Sequence, residues 1–466
     1  MEKLFRNYEN RIAAIDDSGK SFSYHDLFDE SDKLFSHIQK RCLVFNLCNN
    51  SIGSLLGYVC AQVNYFVPLM VNAKIDNDLF ENLLETYKPE FIWCPKEKLL
   101  PFQCVFEVLD FCLYQTDYIG FELHDDLALL LTTSGSTGSP KLVRQSYLNI
   151  LSNTKSIIEY LSIDESERPI TTLPMNYTYG LSIINTHLHV GATLLLTERT
   201  LLDKEFWTFF NKEKATSFGG VPYTYEMLYK LRFFNMNLPS LRTMTQAGGK
   251  LLPELHKKFA KYAQENNKKF IVMYGQTEAT ARMGYLPADK SLEKYGSMGI
   301  AIPGGKFELL DSQNQTILDY DVVGELVYTG DNVTLGYAQN GEDLSKGDER
   351  NGTLHTGDMA KKDADGYYYI VGRLKRFLKI FGNRINLDET ERLIKSHFPS
   401  IECACGGQDD LMKIYIVSKD KNLIKDIRKF ISEITHINLT AFKIVLVDEI
   451  PKNDSGKVLY KQLEKN

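Results

Sequence analysis

The sequence predicts an α/β protein: a large N-terminal domain of layered α/β subdomains with mostly parallel sheets, then a small C-terminal α+β domain. Three observations carry this. The chain has 466 residues, too many for one core. Helical and strand-like patterns alternate over residues 1 to about 125, which implies βαβ units and parallel strands. The end of the chain mixes two apolar strand-like runs with one helical pattern, as a compact unit of roughly 90 residues would.

The elements follow in order. Ser23-Tyr-His-Asp-Leu27 opens an amphipathic stretch in which Leu27, Leu34 and Ile38 share a helix face. Leu55 to Val63 is apolar enough for a buried helix, and Tyr65-Phe-Val-Pro-Leu69 reads as a strand entered from a short turn. Leu129 to Leu131 reads as a buried strand, and Ile150 or Leu151, Ile157, Ile158 and Leu161 recur at helical spacing. Between them lies a loop, so any phosphate bound there is expected in a strand–loop–helix setting. Ser217-Phe-Gly-Gly-Val-Pro-Tyr223 and Ala247-Gly-Gly-Lys250 are Gly-rich turns after apolar segments. Gly324 to Gly330 reads as a strand, Gly336-Tyr337 as a turn, and Asp363, Asp365 and Gly366 as a hairpin turn before Tyr367-Tyr-Tyr-Ile370. Leu387-Asp-Glu-Thr-Glu391 starts a helix with acids at its positive end. Lys413 to Val417, Leu423 to Ile434 and Lys443 to Val447 complete the small unit.

Composition excludes several classes. Apolar content of 43% and charge of 24% are those of an ordinary globular protein. A net charge of −6, with no block of like charges, leaves no basic footprint for nucleic acid. The N-terminus has no apolar core for a signal peptide, and no apolar run approaches membrane-spanning length. Six of the eight cysteines (Cys42, Cys48, Cys60, Cys94, Cys104, Cys112) fall in the first quarter, with Cys403 and Cys405 near the end. No CxxC pair or nearby histidine cluster forms a zinc pattern, so buried free thiols in a reducing cytoplasm are expected.

The loop at 132–141 carries the first chemistry. Thr132, Thr133, Ser134, Ser136 and Thr137 supply hydroxyls, Gly135 and Gly138 free the backbone, and Pro140-Lys141 closes it. Inward N–H groups, hydroxyl donors and a lysine are what polyphosphate oxygens require. A polar surface loop has the same composition, and the common P-loop pattern is absent because Pro140 stands where its second glycine belongs.

Thr132-Thr-Ser-Gly-Ser-Thr-Gly-Ser-Pro-Lys141 resembles the phosphate loop of the adenylate-forming superfamily of acyl-CoA synthetases, aryl-acid ligases, peptide-synthetase adenylation domains and luciferases. Tyr274-Gly-Gln-Thr-Glu278 resembles its Tyr-Gly-x-Thr-Glu signature at every fixed position. Thr356-Gly-Asp358, Gly372-Arg-Leu-Lys-Arg376 and Pro451-Lys-Asn-Asp-Ser-Gly-Lys457 resemble later motifs in the family's order. Leu142 and Tyr147 depart from the family's usual glycine and histidine, without removing a phosphate donor.

The resemblance implies a role for each residue. Tyr274, beside Gly275 and Gln276, would stack on adenine, with Gly248 and Gly249 against the base. Thr277 would contact the α-phosphate and Glu278 would hold magnesium. Asp358 would bind the ribose hydroxyls and Arg373 ribose or phosphate. Tyr177, Gly219 and Gly220 would border the acid. The resemblance also places a hinge at Lys375 between residues 1–374 and a mobile small domain at 375–466. Lys379 and Gly382 would reach the site after that domain turns, and Lys457 would bridge the attacking carboxylate and the α-phosphate.

The reaction implied is ATP-dependent conversion of a carboxylic acid to an acyl-adenylate, then transfer to a thiol, either coenzyme A or the phosphopantetheine of a carrier protein. Two alternatives stand beside it. An amino-acid-activating ligase is disfavoured because no acid lies between Pro174 and Val190 to pair an ammonium. A catalytically silent nucleotide-binding regulator is disfavoured by the full set Glu278, Asp358, Arg373 and Lys457.

Overall fold

A computed structural model describes residues 8–132, 141–374, 376–381, 383–420, 422–435, 437–452 and 458–463. Its largest sheet has eight strands in the order Gly336–Ala338, Leu142–Ser146, Leu127–Thr132, Val67–Asn72, Leu43–Cys48, Phe91–Pro95, Phe111–Gln115, Gln103–Val108. The four central strands run parallel, and antiparallel strands close both sides. The expected amphipathic helix is Tyr24–Ile38, burying Leu27, Leu34 and Ile38 and opened by a capping box between Ser23 and Asp26. The apolar run after it is the helix Ile52–Asn64, buried from Ile52 to Val63.

A second sheet sets Ser217–Gly220, Thr243–Gln246 and Lys269–Tyr274 side by side in parallel, followed by two short antiparallel strands. A four-stranded antiparallel sheet orders Lys306–Leu310, Gly324–Thr329, Thr353–Lys362 and Tyr368–Arg373. Last comes the hairpin Phe377–Ile380/Asn383–Asn386, then a unit in which Leu411–Val417 pairs antiparallel with Glu402–Gln408 and parallel with Phe442–Val447. Helices Leu387–His397 and Asn422–Thr435 contribute Ile394, Ile427 and Ile431 to that unit's separate core. No helix among the described residues is long and apolar enough to cross a membrane.

Two expectations are corrected. The Gly-rich loop does not run straight into a helix: the strand Leu142–Ser146 intervenes, and helix Tyr147–Leu161 begins only after it. That strand is paired on both sides, and it buries Arg144 by pairing it with Glu349 and giving its Nε a 3.1 Å bond to the Tyr337 carbonyl. Nor are all cysteines free. Cys104 and Cys112, on neighbouring antiparallel strands, form a disulfide, while the other six are free and buried.

Candidate active site

The strand Lys269–Tyr274 ends at a loop that only glycine permits. A Cβ on Gly275 would come 1.6 Å from the Ala281 carbonyl oxygen. The chain turns through Thr277–Ala279, passes Thr280 and Ala281 at φ 51° and 96°, and closes when the Met283 N–H donates to the Tyr274 carbonyl at 2.9 Å. Thr277 and Glu278 therefore project from a rigid tip at the end of the second sheet.

Asp358 faces this loop from the four-stranded sheet. The Tyr274 hydroxyl donates to its Oδ2, and Gln276 Nε2 donates to the same oxygen at 3.0 Å and to the Thr356 carbonyl at 3.0 Å. Arg373, its register partner across the ladder, places Nε 3.4 Å from Oδ1. Burial pushes the Asp358 carboxyl above the ordinary aspartate range, opposed by the Arg373 charge and by the Tyr274 and Gln276 hydrogen bonds. Burial, reinforced by Asp358, pushes the Tyr274 phenol up in turn.

Glu278 is held from a third direction. The Tyr337 hydroxyl donates to its Oε1 at 2.8 Å. Its backbone carbonyl accepts from the Thr334 N–H and hydroxyl, each at 3.0 Å, and from Arg350 Nη1 at 2.9 Å. The Tyr337 ring meets two cations, Lys141 Nζ at 3.3 Å and Arg350 Cζ at 4.6 Å from its centroid. Burial, with Glu278 beside it, pushes Tyr337 up to about 12. Gln145 Nε2 donates to the Thr277 carbonyl at 3.4 Å. Lys141 and Glu278 are thus brought together through Tyr337, a residue expected only to form a turn, while Gln145 holds the neighbouring Thr277.

The pocket residues converge on the same sheet edge. Gly219, Gly220, Gly248 and Gly249 end or follow two adjacent parallel strands. Gly248 has φ +82°, and a Cβ there would lie 2.6 Å from the Tyr177 hydroxyl. Tyr177 stands at the start of helix Thr178–His189. Its neighbour Tyr179 bonds Thr245 Oγ1 at 2.8 Å and would meet a Cβ on Gly219 at 3.0 Å. Burial pushes Tyr177 up to about 12. A cleft of about 800 Å³ runs past, lined in part by Asn50, Pro174, Asn176, Val221 and Tyr223. Arg282, absent from the sequence reading, lies with its Cζ 3.8 Å over the Tyr179 ring.

Lys379 is not brought to this cluster. It sits exposed on the small unit's hairpin, its N–H donating to Asp409 Oδ1 and its carbonyl accepting from the Asp410 N–H, both at 2.8 Å. Lys452, five residues before Lys457, lies 5.1 Å from the ring of cleft residue Tyr223. Thr133, Ser134, Gly135, Ser136, Thr137, Gly138, Lys375, Gly382 and Lys457 lie outside the described residues.

The chain belongs to the AMP-binding enzyme family, whose model matches residues 1–338. Among curated relatives, peroxisomal OPC-8:0-CoA ligase 1 of Arabidopsis thaliana is 30% identical over 362 residues, covering 73% of this chain and 64% of the relative. Oxalate–CoA ligase of the same plant is 28% identical over 351 residues, covering 72% and 66%. The match therefore spans just under two thirds of these relatives' length. The fold is that of o-succinylbenzoate CoA synthetase from Bacillus subtilis, solved with its acyl-adenylate intermediate: TM-score 0.81, 22% identity, 99% of this chain and 97% of the other covered.

Proposed function

We propose that this protein activates a carboxylic acid with ATP to an acyl-adenylate, releasing pyrophosphate, and then transfers the acyl group to coenzyme A. The observation that carries the reading is the convergence of three separate segments on one site: Tyr274–Glu278, Asp358 with Arg373, and Lys141 with Tyr337. Family membership and the names of the relatives, which are CoA ligases, support it.

Each residue has a part in that reading. Asp358, when ionised, accepts from the two ribose hydroxyls, and Tyr274 and Gln276 fix its carboxylate while Tyr274 packs by the base. Gly248 and Gly249 leave the flat base room at the backbone. The loop from Thr133 to Gly138, with Lys141, binds the polyphosphate. Glu278 suits magnesium: Tyr337 occupies Oε1, and no hydrogen-bond donor takes Oε2 among the described residues, leaving a hard oxygen for the ion. Held there, magnesium would supply charge neutralisation for the departing pyrophosphate. Two anions must meet when the carboxylate attacks the α-phosphorus, so positioning and charge neutralisation dominate. Thr277 holds the α-phosphate and Lys457 bridges it to the attacking oxygen. Tyr177, Gly219 and Gly220 border the acid.

The domain boundary belongs to the same reading: residues 1–374 form the adenylating body and 375–466 a small domain turning about Lys375, which withdraws Lys457 and brings Lys379 and Gly382 in for thiol transfer. A cytoplasmic setting fits the six free thiols; a carrier protein as acceptor is the alternative to coenzyme A.

ATP–pyrophosphate exchange against fatty, aryl, hydroxy, amino and dicarboxylic acids tests the proposal, followed by thioester detection with coenzyme A or a phosphopantetheinylated carrier. Exchange with a related group of acids is expected. A folded, ATP-binding protein that exchanges with none of them would overturn the reading in favour of a regulator.

A further inference from the structure

Arg144 and Arg282 are the two arginines among the largest fully buried side chains, and they are treated differently. Arg144 is paired with Glu349 and donates to the carbonyls of Lys346 and Tyr337. Arg376, also largely buried, is paired with both Asp388 and Glu391. Arg282, 1% exposed, has no carboxylate partner among the described residues. Its Nε contacts the Met273 sulfur at 3.3 Å, its Cζ lies over Tyr179, and its Nη1 is buried without an acceptor.

The backbone is arranged to hold it there. Asn153 and Asn332 side-chain amides donate to the Arg282 carbonyl at 2.8 and 2.9 Å, and Arg282 N–H donates to Asn153 Oδ1 at 3.3 Å. Ala281, just before it, is kept at φ +96°, a conformation that surrounding structure must enforce. The clamp thus fixes a guanidinium among Tyr160, Tyr179 and Met273, with Tyr177 near enough to feel its charge. A cation over one aromatic ring, beside one thioether and hydrogen-bonded to the neutral Tyr160 hydroxyl, does not recover what burial of a charge without a counter-charge costs. An anion from outside the chain would.

We infer that Arg282 is the specificity-determining residue of the acid pocket, and that the acid it selects carries a second carboxylate at the end remote from the one activated. The inference rests on the proposed adenylation reading. It follows from geometry: Arg282 lies on the return of the loop whose tip bears Glu278, and its aromatic neighbour Tyr179 packs against Gly219. One loop thereby presents a cation to the acid's tail and a carboxylate to the metal of the reacting end. The same cation opposes an α-ammonium in this pocket.

The test is ATP–pyrophosphate exchange with dicarboxylic acids of increasing length, each run beside its own monomethyl ester, on the wild-type chain and on Arg282→Met and Arg282→Lys. A wild-type preference for one diacid over its ester of about 10²-fold or more in kcat/KM is expected, in line with a site whose buried polar group is otherwise left unpaired. In Arg282→Met that ratio should collapse to within about tenfold, mainly through KM, and Arg282→Lys should restore part of it. Esters exchanging as well as the diacids in the wild type would overturn the inference while leaving adenylation intact, and that comparison needs no variant to fold. Equal loss on diacid and ester in a folded Arg282→Met would likewise reduce Arg282 to a packing residue. Absence of exchange with every acid rejects the adenylation reading itself, and the inference with it.

Discussion

Asp358 is asked to ionise in a place that burial disfavours, and this makes it the residue through which pH acts on the site. Only the carboxylate can accept from two ribose hydroxyls, so ATP affinity should fall on acidification at a pH above the ~3.9 of an ordinary aspartate. Calorimetric ATP titrations across pH would show that limb, and Tyr274→Phe should move it to higher pH because one donor holding the charge is lost. Asp358→Asn should abolish the limb and weaken ATP about 10–10²-fold, on the scale of losing a hydrogen-bonded charge. The sign for stability is opposite: with its folded pKa raised, Asp358 subtracts stability as pH rises from the usual carboxylate range through that raised value. Most of the residues gathered here were legible in the sequence as candidates, since Tyr274, Glu278, Asp358 and Arg373 each stand in a short motif. Tyr337 and Arg282 were not. The hydroxyl of Tyr337 finds Glu278 across 59 positions, and the meaning of Arg282 lies in the carboxylate it lacks, which only the packed fold reveals.

At the scale of elements, the turn after Thr243–Gln246 packs Gly248 against Tyr177, the residues proposed above for the base and for the acid. Gly248→Ala would put a Cβ against the Tyr177 hydroxyl at a left-handed φ, so it should lower kcat/KM for the acid at least about tenfold while the protein remains folded by circular dichroism. Steady-state kinetics with saturating ATP would measure it. The helices and central strands were legible because apolar spacing reports burial directly. The strand Leu142–Ser146 was not: Arg144, Gln145 and Ser146 read as polar, yet all three are buried, Arg144 and Gln145 bonding to distant segments and Ser146 capping the helix that follows through Asn149. The next described element after the strand Leu127–Thr132 is accordingly another strand of the same sheet rather than a helix.

Across the whole molecule, two lysines should divide the reaction. Lys457→Ala is expected to cut adenylation about 10²–10³-fold, the scale for losing one pre-organised electrostatic partner, as read by pyrophosphate exchange. Near wild-type exchange would remove Lys457 from the first step. Lys379→Ala should spare exchange and slow thioester formation; equal loss in both would argue against a turning small domain. The existence of two units was legible from length and from the final α+β pattern, whereas their contact, Lys452 against Tyr223 and Asn386 Nδ2 donating to the Val371 carbonyl at 2.8 Å, depends on tertiary geometry.

The free cysteines are shared unevenly between those units: Cys42, Cys48, Cys60 and Cys94 in the large one, Cys403 and Cys405 in the small one. Burial pushes the thiols of Cys42, Cys94 and Cys403 up to about 12 and those of Cys48, Cys60 and Cys405 well above the ordinary range, so none offers a reactive thiolate while its surroundings stay closed. Each buried sulfur is therefore a built-in stopwatch for local opening. In mild urea an alkylating reagent, followed by peptide mass spectrometry, should stamp Cys403 and Cys405 before the other four, because the smaller core has less to lose by coming apart.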